Sequence, residues 1–238
     1  LAARLAARFW PGPLTLVLEA AAHVPAGVTA GLGTVAVRVP DHAVALALLA
    51  AAGVPVAAPS ANRSGRPSPT TAAHVTADLG ERVAAVVDGG PCRLGVESTV
   101  VDARGDVAVI LREGSVTREE LAVPVHDGTG ASLAASPGTR HAHYRPACRV
   151  ELAAPGRAAA RASALAAGGT RVGLVATEAA PDPVVEIARF RDTEELAAGL
   201  YAWLRAAEEA VDVLVVEEVA PHGLGRAVMD RLRRAAGA

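Results

Sequence analysis

The chain has 238 residues, of which 51% are hydrophobic but only 3% aromatic, and its formal net charge is −2. This length fits one large domain or two small ones, and the aliphatic composition favours a layered α/β core over an aromatic-rich β-sandwich. All 23 basic residues are arginine. The near-zero net charge argues against tight binding of long nucleic acids by bulk electrostatics.

Cysteine usage and hydropathy indicate a cytoplasmic protein. Cys92 and Cys148 have no CxxC neighbour and no matching histidine spacing, so we expect unreactive thiols in a reducing compartment. We find neither an uninterrupted run of 18 apolar residues nor a signal-peptide pattern. The chain begins at Leu1 inside a helical pattern that extends to Phe9, which favours a fragment lacking its first segment.

In the first half of the chain, short Val- and Leu-rich segments bounded by Gly, Pro or Asp predict strands. These segments are Leu14–Glu19, Thr34–Val39, Val54–Ala58, Val83–Asp88, Ser98–Asp102 and Val107–Arg112. His42–Ala52 is apolar almost all round, which predicts a buried helix. Thr71–Leu79 follows an N-cap cluster of Ser, Pro and Thr, and Thr117–Glu120 matches a capping box.

The composition changes at Val123. Residues 124–146 have little periodicity and much Gly, Ser, His and Pro, which is typical of a linker or a functional lid. Strands then alternate with helices, which predicts a small parallel-sheet domain. The strands are Cys148–Ala153, Arg171–Ala176, Val184–Phe190 and Val213–Val216, and the helices are Gly156–Ala167, Thr193–Ala210 and Leu224–Ala236. We therefore predict a domain at 1–122, a linker at 123–147 and a Rossmann-like domain at 148–238.

A polar loop, which we call the SAN loop, runs from Pro59 to Thr70 after a predicted strand and before a predicted helix. Its small hydroxyl residues and glycine let backbone N–H groups approach an anion, and the following helix N-terminus favours negative charge. An ordinary polar turn is the alternative. The loop has four hydroxyl side chains, two arginines and Asn62, and this density of polar groups favours ligand binding.

Arginine and hydroxyl side chains also mark the ends of other predicted strands. Thr34 and Arg38 share one face of a strand whose other face is valine. Because an unpaired arginine is costly to bury, Arg38 should face an anion, unless it forms a surface salt bridge. Ser98 and Arg112 also lie at the ends of predicted strands. The turn at 9–15 is better explained as a packed turn before a strand.

Several common catalytic patterns are absent from the sequence. It contains no P-loop, no GxGxxG after a strand, no GxSxG and no HExxH. His141 and His143 form an HxH pair without further ligands at metal-site spacing, so we predict no metal site. We assign no certain catalytic residue, and expect arginine forks and hydroxyl groups to bind phosphate and carboxylate.

Five motifs occur in a recognisable order: PGPLT, TVAVRVP, PSAN-x-SG-x-x-SPT, ESTVVD and LR-x-G. This order resembles the YrdC-like domain of the L-threonylcarbamoyladenylate synthase family. Residues 136–146 are similar to the SPGM-x-x-x-HYAP linker of its two-domain members, and residues 223–232 to their GLG-x-A-x-x-NRL ending. The linker departs at Thr139, where Met is usual, and at Arg145, where Ala is usual.

The resemblance implies an α/β fold: a twisted open mixed sheet with helices, then a linker and a small Rossmann-like α/β/α domain. It implies a nucleotidyltransferase that makes threonylcarbamoyl-AMP and pyrophosphate from L-threonine, bicarbonate and ATP, with Mg²⁺ on the phosphates. The product would serve N6-threonylcarbamoyladenosine modification of tRNA through downstream transfer proteins.

The resemblance also implies residue roles. ATP would be contacted by Thr34, Ser60, Ser68, Arg112 and Tyr144, and threonine by Arg38, the backbone of Ala58, and Ser98. Asn62 would support the SAN loop, and Tyr144 would close the nucleotide site. Family members have a further N-terminal segment with a threonine-contacting Thr and an ATP-binding Lys-x-Arg motif, so we expect activity to depend on it.

Three alternatives remain at this point. Carbamoyltransferases of hydrogenase maturation share the domain type, but they add Cys-rich zinc fingers and this chain has two cysteines. The domain can instead be an RNA-binding module, or the chain an inactive truncated homologue. The enzyme hypothesis requires Arg38, Ser60, Ser98 and Arg112 to converge in one hollow.

Overall fold

The computed structural model describes residues 1–128 and 144–237 and divides into two compact units. The first unit is Leu1–Pro59 with Glu97–Arg140, and the second is Ser60–Val96 with His141–Ala238. The linker motif before Tyr144, including His141 and His143, lies outside the described residues. Each unit is a set of residues that contact one another in space, and neither unit is a continuous stretch of sequence. The predicted domain limits of 1–122, 123–147 and 148–238 stay predictions.

A five-stranded mixed sheet, in the order β2–β1–β3–β4–β5, forms the first unit. The strands are β1 Leu14–Glu19, β2 Thr34–Val37, β3 Thr99–Asp102, β4 Ala108–Arg112 and β5 Val125–Asp127. β1 runs antiparallel to β2 and parallel to β3, β3 is antiparallel to β4, and β4 is parallel to β5. This mixed sheet confirms the predicted α/β fold class.

The main core of the first unit packs helix α1 and one face of the sheet together. Its buried side chains are mostly aliphatic and include Leu5, Leu14, Leu16, Val101, Ile110 and Leu121. The helices of this unit are α1 Ala2–Phe9, α2 Ala26–Thr29, α3 Ala43–Ala52 and α5 Arg118–Leu121. The predicted capping box is confirmed, because Thr117 accepts from Glu120 N–H and the Glu120 carboxylate accepts from Thr117 N–H.

Two predicted strands, Val54–Ala58 and Val83–Asp88, are wrong. Both segments lack regular strand structure, and neither forms a ladder with another described segment. Strand propensity depends on cross-strand packing and pairing, which a valine-rich run cannot supply by itself. The strand predicted to end at Val39 ends at Val37, and the short elements α2 and β5 were not predicted.

Helix α3 was also expected to be buried, and that expectation is wrong for the described residues. No residue of Ala43–Ala52 is buried, and Val44 and Leu48 are 42% and 52% exposed. A helix that is apolar on all sides has no single face that must pack against a core. Its pattern therefore could not reveal how much of the helix would be covered.

A four-stranded parallel sheet, in the order β6–β9–β7–β8, forms the centre of the second unit. Its strands are β6 Arg149–Ala153, β7 Val172–Ala176, β8 Val185–Arg189 and β9 Val213–Glu217. The helices are α4 Ala72–Leu79, α6 Ala158–Ala166, α7 Thr193–Ala210 and α8 Leu224–Ala236, with a 3₁₀ turn at Gly80–Arg82. None of the described helices meets the length and hydropathy needed to cross a bilayer.

The two cysteines differ in exposure, which gives a first prediction. Cys148 is buried, and burial, with a smaller contribution from the nearby Glu208 charge, raises its pKa to about 11. Cys92 is exposed, although partial desolvation also raises its pKa. Because the thiolate is the reactive form, iodoacetamide at about pH 8 should modify Cys92 slowly and leave Cys148 unmodified in the folded chain. Peptide mass spectrometry checks this, and equal rates for the two thiols would contradict it.

Candidate active site

Arg112 contacts Ser98 where β3 and β4 meet in the first unit. Arg112 Nε donates to the Ser98 carbonyl at 3.2 Å, and Nη2 donates to the same carbonyl at 2.9 Å and to Ser98 Oγ at 3.2 Å. The antiparallel ladder pairs Arg112 with Val100, so the guanidinium reaches back along the chain that leads into β3. These contacts fix the plane of the fork beside a hydroxyl group.

β1 and β2 bring a second hydroxyl and a second guanidinium to the same region. Thr15 Oγ1 lies 2.8 Å from Ser98 Oγ. β2 ends at Val37, which pairs with Leu16, so Arg38 follows at the level of Thr15. Burial and, to a lesser degree, the positive charge of Arg112 lower the pKa of Arg38.

No carboxylate among residues 1–128 and 144–237 forms an ion pair with Arg38 or Arg112. Two like charges in a partly buried position destabilise each other, and a bound anion offsets that repulsion. Guanidinium groups bind carboxylate and phosphate through charge-assisted hydrogen bonds, and the hydroxyl groups of Thr15 and Ser98 can donate as well. We call these four residues the Arg–Ser cluster, and it is suited to hold an anion.

The turn after Arg112 packs tightly on the start of β3. A Cβ on Gly114 would lie 2.4 Å from the Glu97 carbonyl oxygen and from two backbone atoms of Ser98 and Thr99. Ser115 N–H donates to the Glu97 carbonyl at 3.0 Å. The glycine of the LR-x-G motif is therefore what lets the chain approach closely enough to fix Ser98 in place.

Thr34 and Ala58 are not placed in the Arg–Ser cluster. Thr34 begins β2 opposite Glu19, four residues from Arg38, or about 13 Å along an extended strand. Ala58 lies in an exposed segment without regular secondary structure. Their contacts with ATP and threonine stay predictions.

The SAN loop belongs mostly to the second unit, with Ser60, Asn62 and Ser68. Asn62 Nδ2 donates to the carbonyls of Arg63 at 2.9 Å and Arg66 at 3.2 Å, which closes the loop on itself. Its Oδ1 is buried and accepts no hydrogen bond from the described residues. That Ser60 joins Arg38, Ser98 and Arg112 in one hollow stays a prediction.

Tyr144 lies in the core of the second unit. Its side chain is 5% exposed, its backbone φ is 68°, and its ring centroid is 5.4 Å from that of Tyr201. The Arg231 guanidinium lies over the Tyr144 ring, and its central carbon is 5.6 Å from the ring centroid. The next residue, Arg145, donates its N–H to the Gly65 carbonyl at 2.9 Å, so this end of the linker contacts the SAN loop. The ATP contact of Tyr144 stays a prediction.

Thr15 was not predicted as a site residue. The alternation of β1 was available as a signal, because Leu14 and Leu16 enter the core and Thr15 must therefore point to the other face. No group of three His, Cys, Asp or Glu in the described ranges is arranged to hold a metal ion.

Fold and site together define a two-unit α/β protein with a cluster of arginine and hydroxyl side chains on a mixed sheet that is suited to hold an anion. A family model described as "Telomere recombination" (Sua5_yciO_yrdC) matches residues 1–114. A second, described as "Threonylcarbamoyl-AMP synthase, C-terminal domain" (Sua5_C), matches residues 109–237. The chain belongs to the threonylcarbamoyl-AMP synthase family.

Individual relatives agree with this assignment. The chain is 44% identical to the threonylcarbamoyl-AMP synthase of Bacillus subtilis (strain 168), over 97% of this chain and 71% of the relative. It is 41% identical to that of Pyrococcus abyssi (strain GE5 / Orsay), over 98% of this chain and 73% of the relative. The crystal structure of P. abyssi Sua5 complexed with L-threonine superposes with a TM-score of 0.88 at 40% identity, covering 99% of this chain and 74% of that one.

Proposed function

We propose that this chain is an L-threonylcarbamoyladenylate synthase, a nucleotidyltransferase that forms threonylcarbamoyl-AMP and pyrophosphate from L-threonine, bicarbonate and ATP. The observation that carries the proposal is the Arg–Ser cluster, where two guanidinium groups lie beside two hydroxyl groups without a carboxylate partner among the described residues. Family membership and the threonine complex of the P. abyssi relative support it. The product serves N6-threonylcarbamoyladenosine modification of tRNA through downstream transfer proteins.

The chemistry has two steps. The threonine amine bonds to the bicarbonate carbon and water leaves, which gives a carbamate. A carbamate oxygen then bonds to the α-phosphorus of ATP, and the bond to the β-phosphate oxygen breaks to release pyrophosphate. The protein contributes by orienting the reactants and by stabilising charge on the transferred group.

The proposed roles follow the chemistry of each side chain. Arg38 binds the threonine carboxylate, and Ser98 and the Ala58 backbone orient threonine. Arg112 stabilises phosphate charge, while Thr34, Ser60, Ser68 and Tyr144 complete the nucleotide site. Asn62 supports the SAN loop. Mg²⁺ enters with the substrate as MgATP, held by the phosphate oxygens.

The direct test uses the protein expressed with its natural termini. Pyrophosphate release should require ATP, L-threonine and bicarbonate together, and mass spectrometry should identify threonylcarbamoyl-AMP with ¹³C from labelled bicarbonate. Loss of the signal on omitting any one substrate is expected. RNA binding with a steep salt dependence and no threonine-dependent turnover would favour an RNA-binding module instead. Threonine binding without turnover would favour an inactive homologue.

A further inference from the structure

A buried ion pair connects helix α7 to helix α4 in the second unit. Arg205 Nη2 lies 2.6 Å from Asp78 Oδ2, and the two side chains are 8% and 1% exposed. Burial alone would raise the pKa of Asp78. The hydrogen bond and charge of Arg205, with further contributions from the Arg63 N–H and the Arg66 charge, lower it instead. The carboxylate is thus ionised and balanced by guanidinium groups.

The same guanidinium also contacts the SAN loop directly. Arg205 Nη2 donates to the Pro67 carbonyl, and Nε donates to the Ser68 carbonyl at 3.4 Å. Asp78 in turn accepts the Arg63 N–H at 3.4 Å. The ion pair therefore binds backbone groups near both ends of the loop segment 63–68.

One helical turn further along α7, Glu208 provides a second attachment. Its carboxylate pairs with the Arg66 side chain and accepts the Ala147 N–H at 3.2 Å. Residues three apart on a helix lie on the same face, so Arg205 and Glu208 face the loop together. Glu208 and Arg66 also line a cavity of about 340 Å³ in this unit.

We infer that Arg205 is a positioning residue for nucleotide binding, with Asp78 as its anchor and Glu208 as a second support. Together these three residues form what we call the Arg205–Asp78–Glu208 clamp. Through this clamp, helix α7 sets the conformation of the SAN loop. The inference rests on the proposed function, because that proposal assigns Ser60 and Ser68 of this loop to ATP. It adds a role for residues outside the motifs that identify the family.

Peptide geometry connects the clamp to a backbone N–H of the SAN loop. A trans peptide is planar, and its carbonyl and N–H groups point in opposite directions. Fixing the Pro67 carbonyl on Arg205 therefore fixes the direction of the Ser68 N–H. An arginine fork can hold this carbonyl and the Asp78 carboxylate at once, whereas an ammonium group acts as a point charge.

The principal test is Arg205→Lys in the protein with its natural termini. Lysine keeps the charge opposite Asp78 but loses the fork, so the fold should persist while the loop loosens. We expect the Kd for a non-hydrolysable MgATP analogue to rise about tenfold, with the Kd for L-threonine unchanged. Amide hydrogen exchange of residues 61–70 should become faster, with exchange in the β6–β9 sheet unchanged.

A second variant separates positioning from stability. Removing one partner of a buried ion pair is strongly destabilising because it leaves an unpaired buried charge, whereas replacing both partners by uncharged groups leaves none. The double variant Asp78→Asn/Arg205→Met should therefore fold, yet its SAN loop lacks the guanidinium donor. We expect weak nucleotide binding in the double variant despite a melting temperature near that of the unaltered protein.

Arg161→Lys is the matched control, because Arg161 pairs at the surface with Glu151 in the same unit. Its nucleotide affinity should equal that of the unaltered protein. The inference is overturned if Arg205→Lys leaves analogue affinity unchanged, or if the double variant recovers normal affinity. A protein that makes no pyrophosphate but shows the affinity and exchange shifts would refute the proposed function and leave the positioning role standing.

Discussion

Replacing Arg112 with alanine should lower kcat/KM for threonylcarbamoyl-AMP formation by about ten- to a hundredfold while the protein stays folded. A hydrogen bond to a charged group contributes about 1.5–3 kcal/mol, which corresponds to that range of rates. Arg112 supplies such bonds from a position fixed by the Ser98 carbonyl. Because Arg112 is assigned to ATP and Arg38 to threonine, the loss should persist at saturating threonine.

Pyrophosphate release and near-ultraviolet circular dichroism, measured on the protein with its natural termini, check this prediction. Arg112→Lys should be intermediate, because it keeps a charge but not the planar fork. Arg104→Ala is the matched control, since Arg104 lies in the turn between β3 and β4 and pairs at the surface with Asp102. Turnover by Arg112→Ala equal to that of the unaltered protein would refute the assignment of Arg112 to ATP.

Gly114→Ala should destabilise the first unit by about 1–3 kcal/mol, the cost typical of overpacking. The new Cβ would lie 2.4 Å from backbone atoms of residues 97–99, and backbone cannot rotate away as a flexible side chain can. This clash can be relieved only if the turn after β4 moves away from the start of β3. Ser98 would move with it, so threonine affinity should fall as well.

Urea unfolding followed by tryptophan fluorescence measures this effect. Trp10 belongs to the first unit, where its Nε1 donates to the Leu14 carbonyl, and a Trp203→Phe background makes it the reporter. Gly105→Ala is the control, because a Cβ there meets no atom within 4 Å. We expect the control to change stability by no more than about 1 kcal/mol. An unchanged midpoint for Gly114→Ala would contradict the close approach.

Periodic segments of the second unit could be predicted from sequence because their patterns are local. Helices Thr193–Ala210 and Leu224–Ala236 have the predicted bounds, and the capping box at Thr117 is present. The strand predictions for Val54–Ala58 and Val83–Asp88 were wrong for a physical reason. A strand exists through hydrogen bonds to a neighbour, and composition does not show whether a neighbour is there.

Part of the candidate site could be predicted in the same way. Arginine and hydroxyl residues at strand ends identified Arg38, Ser98 and Arg112, and β-sheet register brings them together. Thr15 was not predicted, because the segment 9–15 was interpreted as a packed turn without a role in ligand binding. The Arg205–Asp78 pair could not be predicted, because neither residue lies in a motif and 127 residues separate them.

The separation of Asp78 and Arg205 also has a consequence for synthesis on the ribosome. At about 5–20 residues per second, Asp78 is translated roughly 6–25 s before Arg205, which lies 127 positions later in the chain. A nascent or prematurely terminated chain thus carries the SAN loop without its clamp. We expect such incomplete chains to bind nucleotide weakly, so that nucleotide binding becomes tight only after Arg205 has been synthesised.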